Sequence, residues 1–256
     1  MASSLPADTS LRTQVYDSLR DSLTSGKFVP GQKLTLRFLA KALDVSLMPV
    51  REALRRLVAE GAFEMRPNRS VRVPLMTRTK ILELRDIRLA IEGLAVEKAA
   101  ALATKDQVAR VRRIALEIVA ARGAGDSVTD RKKIREYHFA LYAIAEQPTL
   151  LRMIEGLWLQ TGPYMNLLYP KFISSSRGPE GRARLLRALQ AHDAAAARRE
   201  IERDIGDALS FVADLADAAG NIAPAAPVAV KRKRRPSKAP AAKSRGATLF
   251  QRAERL

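Results

Sequence analysis

Between Val45 and Leu57 the chain reads Val-Ser-Leu-Met-Pro-Val-Arg-Glu-Ala-Leu-Arg-Arg-Leu. Ser46 can start a helix there, because a serine hydroxyl competes for the free N–H groups of a first turn. Val50, Leu54 and Leu57 then recur at helical spacing, and Arg51, Arg55 and Arg56 fall between them. A helix that is apolar on one side and rich in arginine on the other suits insertion into the major groove of DNA. The chemistry on offer is recognition. A guanidinium can grip guanine O6 and N7 in a bidentate fork, and a helix N-terminus presents N–H groups and a positive dipole end to phosphate. The groups that bond-making chemistry needs are missing. There is no Cys and there are only two His. No glycine-rich phosphate loop and no His/carboxylate triad at usable spacing occurs, so an enzyme is not expected.

The elements that must hold this helix can be read around it. Leu11, Val15, Leu19 and Leu23 keep helical spacing, Gly26 stops that helix, and Pro30-Gly31 makes a turn. Thr35 is placed to cap a second helix over Leu36–Leu43. The arginine-bearing helix follows Ser46 and ends at Gly61. Ala62–Met65 and Val71–Val73 alternate like short strands joined by Arg66–Ser70. Three helices and a basic hairpin make a winged helix-turn-helix over residues 11–75. The plainer alternative is a small α/β domain whose arginines are merely solvated.

The 256 residues leave room for a second domain, and the formal charge of +18 calls for a polyanionic partner. Ala and Leu dominate and aromatics are few, which points to a mainly α protein. Residues 76–219 read as a series of amphipathic helices with short loops, hence an antiparallel helical bundle. Thr104-Lys105-Asp106-Gln107 has the capping-box pattern. Residues 1–10 and 220–256 are expected to be disordered. From Lys231 onward ten Lys and Arg stand against Glu254 alone, a net of +9. That tail is either a solubilising appendage or a non-specific DNA tether whose affinity comes from counterion release. The absence of Cys fits a reducing compartment. The segment MASSLPADTS lacks the apolar stretch of a signal peptide, and no run nears the roughly 18 apolar residues of a membrane helix. We expect a cytoplasmic, nucleoid-associated protein with no membrane contact.

These residues resemble the GntR transcription factors, FadR subfamily, over nearly the whole folded chain. Gly26–Leu34 is similar to the family's Pro-Gly turn, and Val45–Leu57 to its recognition helix. The resemblance implies DNA contacts at Arg37, Ser46, Leu47, Met48, Arg51, Arg69 and Ser70. Leu47-Met48 stands where the family often has Arg-Thr, and Arg69-Ser70 where Gly is frequent. An apolar side chain can touch a thymine methyl but cannot read guanine, so a different operator is expected. Arg69 at the wing tip is suited to a minor groove. Two copies on a symmetric dimer would read a palindrome. The expectation is a homodimeric repressor modulated by a small organic acid. The alternative is a ligand-blind architectural DNA-binding protein.

Arg88–Glu92, Tyr137–Leu141 and Ala188–Asp193 resemble the effector-binding FCD domain of that subfamily. Many such domains hold a divalent metal with one Asp and three His. Here those positions fall on Ile134, His138, Arg182 and Asp204, so no metal cofactor is expected. Instead Arg182, helped by Arg88, His138 and Tyr142 and oriented by Asp204, would grip a carboxylate effector directly. The plain alternative is a structural Arg182–Asp204 ion pair. Trp158 and Gly162–Asn166 read as core packing and a proline-started helix.

Overall fold

The computed structural model describes residues 7–67, 70–169, 171–175 and 178–223. The N-terminal domain starts with α1 (Ala7–Thr24), followed by β1 (Lys33–Thr35), α2 (Leu36–Leu43) and α3 (Leu47–Ala59). The wing is β2 (Glu64–Arg66) and β3 (Ser70–Arg72). The helical domain comprises α4 (Arg78–Leu102), α5 (Lys105–Gly123), α6 (Ser127–Ile144) and α7 (Pro148–Thr161). It continues through a 3₁₀ segment (Gly162–Leu168), α8 (Lys171–Ser175), α9 (Gly178–Gln190) and α10 (Ala194–Ala213). The protein is mainly α, with a winged helix-turn-helix followed by a helical bundle.

The caps explain where several helices begin. Thr35 accepts a hydrogen bond from Phe38 N at 3.1 Å and starts α2. Asp44, in the left-handed region at φ 56°, ends it and sets the turn into α3. Thr104 and Gln107 form the reciprocal capping box of α5. Ser46 occupies the N-cap position of α3, but its hydroxyl makes no capping bond, contrary to expectation. The orphan N–H groups of that first turn are therefore left for another acceptor.

The sheet has three strands, not two. β3 pairs antiparallel with β2 and with β1, in the order β1-β3-β2, with Leu34 and Met65 both opposite Val71. Leu34 and Val71 point into the core formed by Leu19, Leu23, Val50, Leu54 and Leu57. Lys33–Thr35 shows one buried residue between two exposed ones, a pattern too short to register as alternation before its partner is known.

Three boundaries move. Helix α1 begins at Ala7, inside the segment expected to lack order, because its polar first turn carries no apolar stripe before Leu11. Residues 1–6 lie outside the described residues. Helix α10 ends at Ala213, earlier than its sequence suggests, and the chain turns back against the start of α4. Ile222 N donates to Met76 O at 3.2 Å and Arg78 N to Gly220 O at 2.8 Å. The Ile222 side chain is buried in the bundle core, so residues 220–223 belong to the folded domain rather than the tail. The rest of the tail, from residue 224, lies outside the described residues.

The bundle core is built from Ile81, Leu84 and Val96 of α4, Ile118 of α5, Leu141 of α6, Ile154 of α7, Leu189 of α9 and Leu209 of α10. No helix among the described residues is long and apolar enough to cross a membrane. The domains are not strung loosely together. Leu159 of α7 is part of the N-terminal core.

Candidate functional site

Helix α3 buries Pro49, Val50, Ala53, Leu54 and Leu57 and leaves Ser46, Leu47 and Met48 exposed at its N-terminus. Arg51 is half-buried and Arg37 is exposed; neither makes an ion pair among the described residues. The structure thus brings Arg37, Ser46, Leu47, Met48 and Arg51 onto the two helices of the helix-turn-helix with their polar groups open. Arg55, one turn beyond Arg51, is exposed and likewise makes no ion pair among the described residues, a candidate contact the motif alone did not single out. Arg56 is different. Its guanidinium lies 3.8 Å from the centre of the Tyr16 ring and pairs with Glu60 at 2.9 Å. Tyr16 donates to the same carboxylate at 2.7 Å. Burial, then the Glu60 hydrogen bond and charge, push the Tyr16 phenol up to about 12.

At the wing, the Ser70 hydroxyl donates to Pro67 O at 2.9 Å. Its proton is engaged inside the turn, so Ser70 shapes the wing as well as standing near its tip. Arg69 lies outside the described residues. Arg66 and Met65 are exposed on β2.

The second site is a cavity of about 70 Å³ enclosed by α4 to α10 and the 3₁₀ segment. Its wall includes Arg88, Ile134, His138, Arg182 and Asp204, so five positions singled out from the sequence converge. Their roles differ from those expected. Asp204 does not pair with Arg182; its Oδ2 lies 3.3 Å from His138 Nε2. Burial raises the Asp204 carboxyl, but the His138 hydrogen bond and charge, with Arg182 and Arg122, outweigh it and the net shift is downward. Tyr142 stands behind His138 rather than on the cavity wall. Its hydroxyl meets His138 Nδ1 at 2.8 Å and also donates to Glu92. Arg88 lines the cavity, but its donors are occupied by Glu92 and, at 3.0 Å, by Thr161 Oγ1. Glu92 also accepts from Trp158 Nε1 at 3.1 Å, and Arg88 lies over that indole. Trp158 is both core packing and cavity wall.

Arg182 is the exception in this network. It is 9% exposed, and its Nε and Nη2 have no hydrogen-bond partner among the described residues. Burial pulls its guanidinium down, opposed by the charge of Asp204. The Tyr137 hydroxyl, also on the wall, is buried and likewise without a partner among the described residues. Burial raises that phenol, and Asp204 adds to the rise. Tyr137 and Arg122 are the functional candidates that the sequence did not flag. Arg122 is held by Asp130 at 3.2 Å. A divalent metal does not fit this donor set. His138 and Asp204 supply two ligands, Ile134 none, and Arg182 places a cation where a third would stand. Among the described residues no cluster of three or more His, Cys, Asp or Glu could hold a metal.

Cavity and DNA-binding domain are joined by short contacts. The 3₁₀ segment turns Met165 and Leu168 to the cavity and Tyr164 and Asn166 to the N-terminal domain. Asn166 Nδ2 donates to Gly26 O at 2.6 Å. The Tyr164 hydroxyl donates to Pro74 O at 3.1 Å and accepts from Met76 N at 2.6 Å. Arg131 Nε of α6 donates to Ser25 O at 3.0 Å.

Residues 11–73 match the model of the bacterial regulatory proteins, gntR family, and residues 83–207 match the FCD domain. The chain is 33% identical over 160 residues to the HTH-type transcriptional regulator McbR of Escherichia coli K12, covering 62% of this chain and 72% of the relative. The chain belongs to the GntR family. The solved structure of E. coli McbR/YncC superposes on this GntR protein with a TM-score of 0.75 at 30% identity, covering 78% of this chain and 96% of that one. The HTH-type transcriptional repressor GlaR of E. coli K12 is 29% identical over 147 residues, 56% of this chain and 67% of the relative. This GntR protein is a DNA-binding transcription regulator and not an enzyme. Its FCD domain is consistent with the FadR subfamily.

Proposed function

We propose that this regulator is a repressor that binds a palindromic operator as a homodimer and responds, without a metal, to a small organic acid in the FCD cavity. The observation that carries the effector reading is Arg182, a buried guanidinium in the wall of a cavity whose Nε and Nη2 have no hydrogen-bond partner among the described residues. A buried cation left without a partner is costly, and a carboxylate supplies the bidentate acceptor that relieves it. Arg88 and Arg122 already have carboxylate partners, so Arg182 is the anchor. The repressor reading draws support from the relative GlaR, an HTH-type transcriptional repressor. The dimer reading rests on the few base contacts one recognition helix can make.

Ligand would act by changing how the winged domains are held. The 3₁₀ segment touches both the cavity and residues 26, 74 and 76, so a shift of its cavity face moves the DNA-binding domain. A coupling of about 1–3 kcal/mol, or roughly 5–150-fold in operator affinity, is enough for regulation. The test is a footprint on DNA flanking the gene, with competitor DNA, repeated with a panel of carboxylic acids on wild type and Arg182→Ala. The expected result is a two-fold symmetric protected site that an acid alters only when Arg182 is present. Protection that every acid leaves unchanged would refute the switch.

A further inference from the structure

Three charged or polar groups face this cavity with hydrogen-bonding capacity to spare. Among the described residues, Arg182 has Nε and Nη2 unpartnered, and Tyr137 has its hydroxyl unpartnered. Asp204 gives one oxygen to His138 and has no other partner among the described residues. Its side chain is 45% exposed although α10 packs in the bundle, and it lies on the cavity wall. The rest of the wall is largely apolar, with Ile118, Ile134, Met165, Leu168 and Phe172.

Two charges on that wall are opposite and not joined to each other. Arg88 is neutralised by Glu92, and Arg122 by Asp130. That leaves Arg182 and Asp204, which feel each other's charge but form no ion pair with each other; Asp204 keeps one oxygen on His138 Nε2 and has no other partner among the described residues. A plain carboxylate on Arg182 would set a second anion near Asp204, and a dicarboxylate would set two. Like charges brought together on one cavity wall cost affinity. An amine alone would meet Asp204 and leave Arg182 unpaired. A zwitterion meets both charges and adds no net charge.

We infer that the effector is a small apolar α-amino acid, with its carboxylate on Arg182 and Tyr137 and its ammonium on Asp204. The inference rests on the proposed carboxylate site at Arg182 and extends it with a second, cationic subsite. The cavity of about 70 Å³ has room for on the order of five water-sized positions, which suits a short branched side chain better than an aromatic one. The apolar wall gives that side chain its surroundings. The ammonium subsite also gives Asp204 a role that a metal-free cavity would otherwise lack.

The experiment is calorimetric titration of the full chain with L-valine and L-leucine, and with their deaminated counterparts 3-methylbutanoate and 4-methylpentanoate. At least one amino acid is expected to bind tenfold or more tightly than its deaminated partner. Asp204→Asn should cut the amino-acid affinity to that of the deaminated acid without weakening the latter. Arg182→Ala, and the milder Arg182→Lys, should weaken both. Thermal melts of each variant establish that it is folded. A deaminated acid that binds as well as its amino acid, and needs Arg182 but not Asp204, overturns the ammonium subsite and leaves the carboxylate site standing. Binding of either ligand that survives both Arg182 substitutions overturns the carboxylate site as well. No binding of any of the four overturns the inference.

Discussion

Replacing Gly162 with alanine tests the route between cavity and DNA-binding domain. Gly162 follows Thr161, whose hydroxyl accepts from Arg88 of the cavity cluster, and it starts the segment that carries Met165 and Leu168. A Cβ at Gly162 would lie 2.7 Å from Leu23 O and 2.7 Å from Thr24 Cα. Both are backbone atoms of α1 in the other domain, so no side chain can swing aside. Ordinary contact needs roughly 3.5 Å or more, so α1 must retreat by the better part of an ångström. Overpacking of this kind costs about 1–3 kcal/mol. For a chain of this size each kcal/mol lowers Tm by about 2–4 °C. Gly156, in the preceding helix, has nothing within 4 Å of its Cβ position. Gly156→Ala should therefore be neutral or raise Tm, because alanine favours helix by up to about 1 kcal/mol over glycine. The paired melts isolate the close approach from helix propensity. Operator affinity of Gly162→Ala, measured without effector, should shift along with Tm, because the domains separate where they are coupled. Equal Tm for Gly162→Ala and wild type, with unchanged operator affinity, would refute the proposed route.

Other consequences can be measured directly. Arg51→Ala should weaken operator binding by about 1–3 kcal/mol and relax specificity while leaving the melt unchanged; Arg56→Ala, which unstacks Tyr16 and frees Glu60, should do the reverse. All five tyrosines are raised, chiefly by burial, with Tyr16 and Tyr164 at about 12. A phenol raised in the folded state stabilises it fully below its unfolded value near 10 and loses that contribution as pH climbs through the folded value. Absorbance at 295 nm should show little phenolate at pH 10, and stability should fall between about pH 10 and 12 for Tyr16 and Tyr164; full ionisation at pH 10 in the folded protein would contradict it. Deleting residues 224–256, with the ten Lys and Arg that begin at Lys231, should reduce the salt slope of non-specific DNA binding and spare the footprint. An unchanged slope would exclude the tail as a tether.

The legible parts of the chain are those in which local chemistry is self-contained. Thr35, Asp44 and the Thr104–Gln107 box carry their own hydrogen-bond partners within four residues, so the helices they delimit stand where expected. The arginine face of α3 follows from helical spacing, and the cavity positions Arg88, His138, Arg182 and Asp204 from the family resemblance. What was not legible depends on partners distant in sequence. Lys33–Thr35 is a strand because Val71 lies opposite Leu34, and Ile222 is core because it meets the start of α4. The pairing of Asp204 with His138 rather than Arg182 is likewise a matter of side-chain direction across two helices. Tyr137 sits beside His138 in a motif, and only the unpartnered hydroxyl marks it as different from the other buried tyrosines.

The replacement of metal ligands by Ile134, Arg182 and Asp204 can be tested by reversing it. His138 is already suited to ligation, since Nδ1 is held by the Tyr142 hydroxyl and Nε2 points toward Asp204 on the cavity wall. Second-sphere support of that kind fixes an imidazole for coordination. The triple variant Ile134→Asp, Arg182→His, Asp204→His would supply the one Asp and three His that the family resemblance implies, and would remove the opposing guanidinium. With free zinc at about 100 times its dissociation constant, binding to the folded state alone adds about 2.7 kcal/mol. That corresponds to a Tm increase of roughly 5–10 °C in a chain of this size. The wild-type protein should show no such increase, and Arg182→His alone a smaller one, because His138, Asp204 and one new imidazole supply three ligands rather than four. Operator release by the effector should then survive a chelator in wild type. A wild-type melt that rises with micromolar zinc, or an effector response that the chelator abolishes, would mean that the cavity recruits a metal despite Arg182, and the direct guanidinium–carboxylate contact would have to be abandoned.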